Sequence, residues 1–155
     1  MTLGTLFVVA LALQTLHLIC QDWLDLFPLN DIAQLKQTMS PTSRLLMILG
    51  NSAPSIIALS LALIFLDQPT PLGVGLYWAA YFGSVLVLMY FMWYKPYVFG
   101  ATMEQRQEYM RAYGRTHHML PPRGENPRPN TFHLILHVLF VVNSALAIGI
   151  GFNLL

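Results

Sequence analysis

TFHLILHVLFVVNSALAIGIGFN, residues 131–153, contains no Asp, Glu, Lys or Arg. Asn130 in front of it is a favourable helix N-cap. As a helix rising about 1.5 Å per residue, the run is long enough to cross a hydrocarbon layer of about 30 Å. In water, so apolar a helix would need a large protein around it. This chain cannot supply one: in all it has 155 residues, 55% hydrophobic and 10% charged, with mean hydropathy +0.55. A soluble domain carries about 25% charged residues. A fold of this size also exposes too large a share of its surface to hide the excess. A bilayer solvates it instead.

Working outward, three further runs share this character. Residues 3–20 carry no charged residue, and no Lys or Arg precedes them, as a signal peptide would require. The small residue of a cleavage site is also absent before Cys20, so a retained helix is expected. Ser40-Pro41 pairs a cap with a first-turn proline and opens a span over 41–66, with Pro54 as a kink inside it. Thr70-Pro71 repeats that signal for a span over 71–94, expected to stop before Pro96. The expected fold is an all-α integral membrane protein, residues 1–155 forming a single membrane domain. It is a four-transmembrane-helix bundle with spans at about 3–20, 41–66, 71–94 and 131–153. The connector from Asp67 to Thr70 is short enough that spans two and three should pack as an antiparallel hairpin.

The connector 21–40 contains NDIAQLKQTM, a short interfacial helix expected to show Ile32, Leu35 and Met39 to the membrane. In the connector 95–130, Thr102 and Gln105 form a capping box and Gly114 a stop. Between them MEQRQEYMRAY reads as a surface helix. THHMLPPRGENPRPN follows, and its prolines exclude regular structure. All eight Lys and Arg residues lie in these two connectors or at their membrane edges. The positive-inside rule then places both connectors in the cytoplasm and both termini outside, in a multi-pass cell-membrane protein. A formal net charge of +1 excludes a strong field for nucleic acid, and the bilayer is the expected partner. The lone Cys20 excludes an intrachain disulfide.

This topology brings all five histidines to one membrane depth. His133 and His137 stand four apart on one helix face, a spacing that suits two ligands of one metal ion. His17, His117 and His118 can reach the same level, with Asp22 and Glu108 as oxygen ligands or their supports. Zinc would take three histidines and a carboxylate, iron more carboxylate, and haem the pair His17 and His137. The alternative is a set of polar side chains near an interface, each bonded to backbone or water. Arg111, Arg115, Arg123 and Arg128 form a second constellation, able to hold an anion or lipid headgroup or merely to set topology. Trp78, Tyr77, Trp93, Tyr94 and Tyr97 fit aromatic belts at the two ends of span three.

Three function classes follow. One is a membrane protein with a cytoplasmic-face His/carboxylate site that binds a metal ion or haem and acts on a lipid or other apolar substrate. The second is a homodimeric small-molecule transporter or channel, with small residues such as Ala147 and Gly151 at helix contacts. The third is a non-catalytic subunit that docks a partner through 95–130. No nucleophile elbow, phosphate loop or CxxC motif selects an enzyme class.

Overall fold

A computed structural model describes residues 2–152 and Leu154, with Asp22 and Thr38 described by backbone alone. Among these residues the regular structure is entirely helical: α1 (Leu3–Trp23), α2 (Ile32–Thr38), α3 (Pro41–Ile64), α4 (Leu72–Met89), a π-helical turn (Tyr90–Tyr94), α5 (Lys95–Phe99), α6 (Met103–Tyr113) and α7 (Thr131–Gly151). Four helices are long and apolar enough to cross a bilayer, the third running without a break from Leu72 to Phe99. This suggests a multi-pass membrane protein. The outward faces of these helices are apolar, with Leu46, Leu63, Leu76 and Val138 among their exposed residues.

The starts follow the capping chemistry of the sequence. Thr2, Ser40, Thr102 and Asn130 each accept a backbone N–H from the first turn of α1, α3, α6 and α7. The Thr102–Gln105 capping box is made in both directions. Span three departs from expectation, because Pro96 does not end it. Proline in a helix clashes with the carbonyl four residues earlier. Here the turn before it is widened, with the Lys95 N–H reaching the Tyr90 carbonyl, and the helix passes through to Gly100. Gly100, at φ +102°, ends it in a conformation that favours glycine.

Packing runs α3–α1–α7–α4, and α3 meets α4 only sparsely. The expected tight hairpin is therefore half formed. Toward the short connector the two helices are tied, Tyr77 Oη donating to the Pro54 carbonyl at 2.9 Å and Trp78 Nε1 to that of Ala58 at 3.3 Å. Toward the basic end they part. The core lies in the tied half, where Phe7 meets Trp78 edge-on at 5.0 Å beside Leu11, Phe82 and Phe140. Trp78 is 1% exposed, so it is a core residue rather than part of an interfacial belt. Gly75 and Gly151 let α4 and α7 touch: a Cβ at Gly75 would collide with the Gly151 carbonyl. Gly151 and Ala147 thus serve packing within this bundle.

A polar layer crosses the middle. Gln14 Nε2 donates to Ser55 Oγ at 3.2 Å and Tyr81 Oη at 3.4 Å, and Asn143 Nδ2 donates to Gln14 Oε1 at 2.9 Å. Thr15 and Ser55 hydroxyls meet at 2.9 Å. One glutamine so joins all four spans. These side chains are buried, and their bonds fix how the helices are rotated against one another.

Candidate functional site

The parting of α3 and α4 leaves a cavity of about 360 Å³ between the polar layer and the basic end. Val85, Met89, Leu136 and Phe140 form its apolar walls, and Tyr81 forms its floor. Ile32 and Leu35 of α2 and Tyr113 of α6 close it at the basic end. Ile32 is 3% exposed, so this face of α2 turns inward onto the bundle and not outward to lipid as expected. Gly50, Leu88 and Met92 line the cavity and are also exposed, so it opens sideways between α3 and α4.

The polar residues gather at the closed end. Asn130 caps α7 with one oxygen that accepts both the His133 backbone N–H at 2.8 Å and His133 Nδ1 at 2.9 Å. A cap oxygen can only accept, so Nδ1 carries the imidazole proton and Nε2 carries a lone pair. Gln21 Nε2 donates to that lone pair at 3.4 Å. Trp93 and Tyr113 enclose the same ring, at 4.8 and 5.2 Å between centroids. His137, one turn further in, is 4% exposed and pairs its Nδ1 with Tyr94 Oη at 3.1 Å. Asn30 braces the turn below α1: Oδ1 accepts from Leu26 N, and Nδ2 donates to the carbonyls of Gln21 and Leu24.

The histidines share the basic end but not a ligand set. His133 and His137 line the cavity with centroids 6.2 Å apart. His17 stacks on Phe132 at 3.8 Å and donates Nε2–H to the Phe132 carbonyl at 2.9 Å. That bond occupies Nε2, the nitrogen through which a haem-ligating histidine commonly binds. His117 and His118 serve the loop. His117 bonds Thr131 through Nδ1 at 2.7 Å, while its backbone joins the loop to Pro28 and Thr131. His118 Nε2 meets Tyr109 Oη at 2.6 Å. Burial, then the nearby Arg128 charge, pushes the His118 imidazole below its ordinary value of 6.5. Burial raises Tyr109, and Arg128 opposes that. Glu108 is exposed, and the side chain of Asp22 lies outside the described residues. Among the described residues no three His, Cys, Asp or Glu side chains are placed to hold a metal ion. The expected metal site is therefore not supported.

The arginine constellation is likewise dispersed. Arg115 lies 3.8 Å from Asp31 and over the Phe27 ring, Arg123 covers Tyr97, and Arg128 donates to the Leu120 carbonyl. Arg111 is exposed. Sequence patterns gave no site role to Gln21, Asn30 and Asp31, took Trp93 for a belt residue and set Tyr113 only beside the arginines. Their only signal was polar or aromatic character next to a span end, which belt and cap residues share.

No protein family, curated protein or solved structure matches this chain.

Proposed function

We propose that this protein binds an amphiphilic small molecule drawn from the bilayer. The polar group sits at the basic end among Gln21, Asp31, His133 and His137, and the apolar part lies between α3 and α4. One observation carries this proposal. The cavity is apolar toward mid-membrane, polar at one end, and open on the side where Gly50, Leu88 and Met92 face outward. A water-soluble ligand would need an opening to water, whereas α2 and α6 cover that end. Few, well-placed polar groups in a largely apolar pocket are what orient a ligand without repelling its chain.

The test is native mass spectrometry of protein extracted in a mild detergent, followed by lipid analysis of what co-purifies. A Cβ at Gly50 meets nothing within 4 Å, so Gly50→Leu starts its side chain in open space on a residue that lines the cavity. A stoichiometric amphiphile in the wild type that is absent from Gly50→Leu supports the proposal. Wild-type protein that is empty, and that takes up no added single-chain amphiphile, refutes it.

We place the basic end in the cytoplasm, because every Lys and Arg residue lies there. With Cys20 replaced by Ser, Met119→Cys should react with an impermeant maleimide only after cells are permeabilised, and Asp67→Cys should react on intact cells. The opposite pattern reverses the orientation.

A further inference from the structure

Two buried acceptor oxygens at the polar end of the cavity, Asp31 Oδ2 and Gln21 Oε1, have no donor, while the amide N–H₂ of Asn130, behind His133 and outside the cavity lining, has no acceptor. Asp31 is buried, its side chain 6% exposed. Its Oδ1 accepts the Gln34 N–H at 2.9 Å and caps α2, while its Oδ2 is buried and accepts no hydrogen bond. Arg115 is an ion-pair neighbour only: its Nη1 stands 3.8 Å from Oδ2, beyond hydrogen-bond reach, on a side chain 69% exposed. Gln21 turns its N–H to His133, which leaves Oε1 buried and unpartnered. The His133 Nε2 lone pair is already met by that Gln21 N–H. Pro54 has no N–H to close on the Gly50 carbonyl at the cavity mouth. Beside these acceptors stand the rings of Trp93 and Tyr113, 5.2 Å apart.

A buried acceptor without a donor is costly, and a carboxylate oxygen more so than an amide. A native structure keeps such groups where something else completes them. Each candidate headgroup can be judged on this. A carboxylate or phosphate would set its oxygens against Asp31 Oδ2 and Gln21 Oε1. A neutral hydroxyl has one hydrogen and satisfies one of the two. An ammonium has several N–H donors and a charge that matches the carboxylate, and aromatic faces attract it as well.

We propose that the amphiphile carries a protonated primary amine, which donates to Asp31 Oδ2 and Gln21 Oε1 beside Trp93 and Tyr113. This rests on the amphiphile-binding function proposed above, and the two can fail separately. The headgroup displaces the loose Arg115 contact rather than adding to it, since Arg115 lies mostly in solvent. Asp31 then has two duties: one oxygen holds α2 over the cavity, and the other receives the ligand.

The experiment uses the full chain in maltoside micelles at neutral pH. Decylamine, decanol and decanoate are titrated separately and occupancy is read by native mass spectrometry. The three share one chain, so differences report the headgroup. Decylamine should bind about tenfold or more tighter than either of the others, as expected for a charge-assisted bond over a neutral one. Asp31→Asn keeps a favourable cap residue for α2. It should bring decylamine down to the level of decanol and leave decanol unchanged. Gly50→Leu should weaken all three. Equal binding of decylamine and decanol by wild-type protein, or a preference for decanoate, overturns the ammonium proposal and leaves amphiphile binding standing. Failure of all three to bind wild-type protein overturns both. The wild-type ranking decides even if Asp31→Asn does not fold.

Discussion

Nδ1 of His133 lies 2.9 Å from Asn130 Oδ1, the same oxygen that receives the His133 backbone N–H at 2.8 Å. One side chain therefore starts α7 and also selects the imidazole tautomer that faces the cavity. In protein labelled with ¹⁵N-histidine, His133 should show a protonated Nδ1 and a lone-pair Nε2 near neutral pH. Asn130→Ala should cost about 1 kcal/mol of stability through the lost cap, and it should convert the His133 signals to a tautomer mixture. An Nε2–H tautomer in the wild type would contradict the assignment.

Gln14 is bonded to Ser55, Tyr81 and Asn143, and all four are buried. Gln14→Leu strands the Asn143 amide and should destabilise the bundle by about 1–2 kcal/mol, the scale of interhelical bonds within membranes. Gln14→Leu combined with Asn143→Leu should cost less than the sum of the single changes, because the second removes the stranded group. Denaturant titration in mixed micelles measures the cycle. Strict additivity would show that the two side chains are not coupled.

Two glycines of α4 should answer a methyl group in opposite ways. At Gly75 a Cβ runs into the Gly151 backbone, which has no rotamer to yield. Gly75→Ala should lower stability by about 1–3 kcal/mol. At Gly83 a Cβ meets nothing within 4 Å, so Gly83→Ala should be neutral or stabilising by up to about 1 kcal/mol. Thermal melts of the two variants suffice, and equal shifts would argue against the close helix crossing.

Acid should loosen the long connector at His118. Its imidazole is held below 6.5 in the folded chain by burial and by Arg128, with His117 adding to that and the Thr116 backbone opposing. A group depressed in this way favours the folded loop above about pH 6.5. That contribution is lost as pH falls through the lower folded value. Hydrogen exchange over residues 116–121, corrected for intrinsic rates, should quicken as the pH is lowered below 6.5. His118→Gln, which does not titrate, should remove the dependence. An unchanged pH profile in that variant would assign the effect elsewhere.

The four long apolar helices were legible because crossing a bilayer would require a length of uncharged chain, and residues 131–153 have it. Caps such as Ser40 and Thr102 were legible because they act within one turn. Pro96 misled, since a π-turn just before it absorbs the clash that would otherwise end the helix. Trp78 misled for another reason: aromatic character near a helix end does not say which way the ring points. The histidines were assigned to the right end of the bundle, yet their partners come from other elements. Phe132 takes His17 and Tyr109 takes His118, and no spacing rule encodes those pairings. The cavity was invisible altogether, because it exists only where α3 and α4 part company.

Under the proposed function, that divergence also sets how a guest would arrive. With α2 and α6 covering the basic end, a bundle inserted across a bilayer would turn the open seam toward the acyl chains of one leaflet. Occupancy would then follow the mole fraction of ligand in that leaflet, not its concentration in water. Two compounds with identical contacts inside the protein would differ in apparent affinity by the ratio of their partition coefficients.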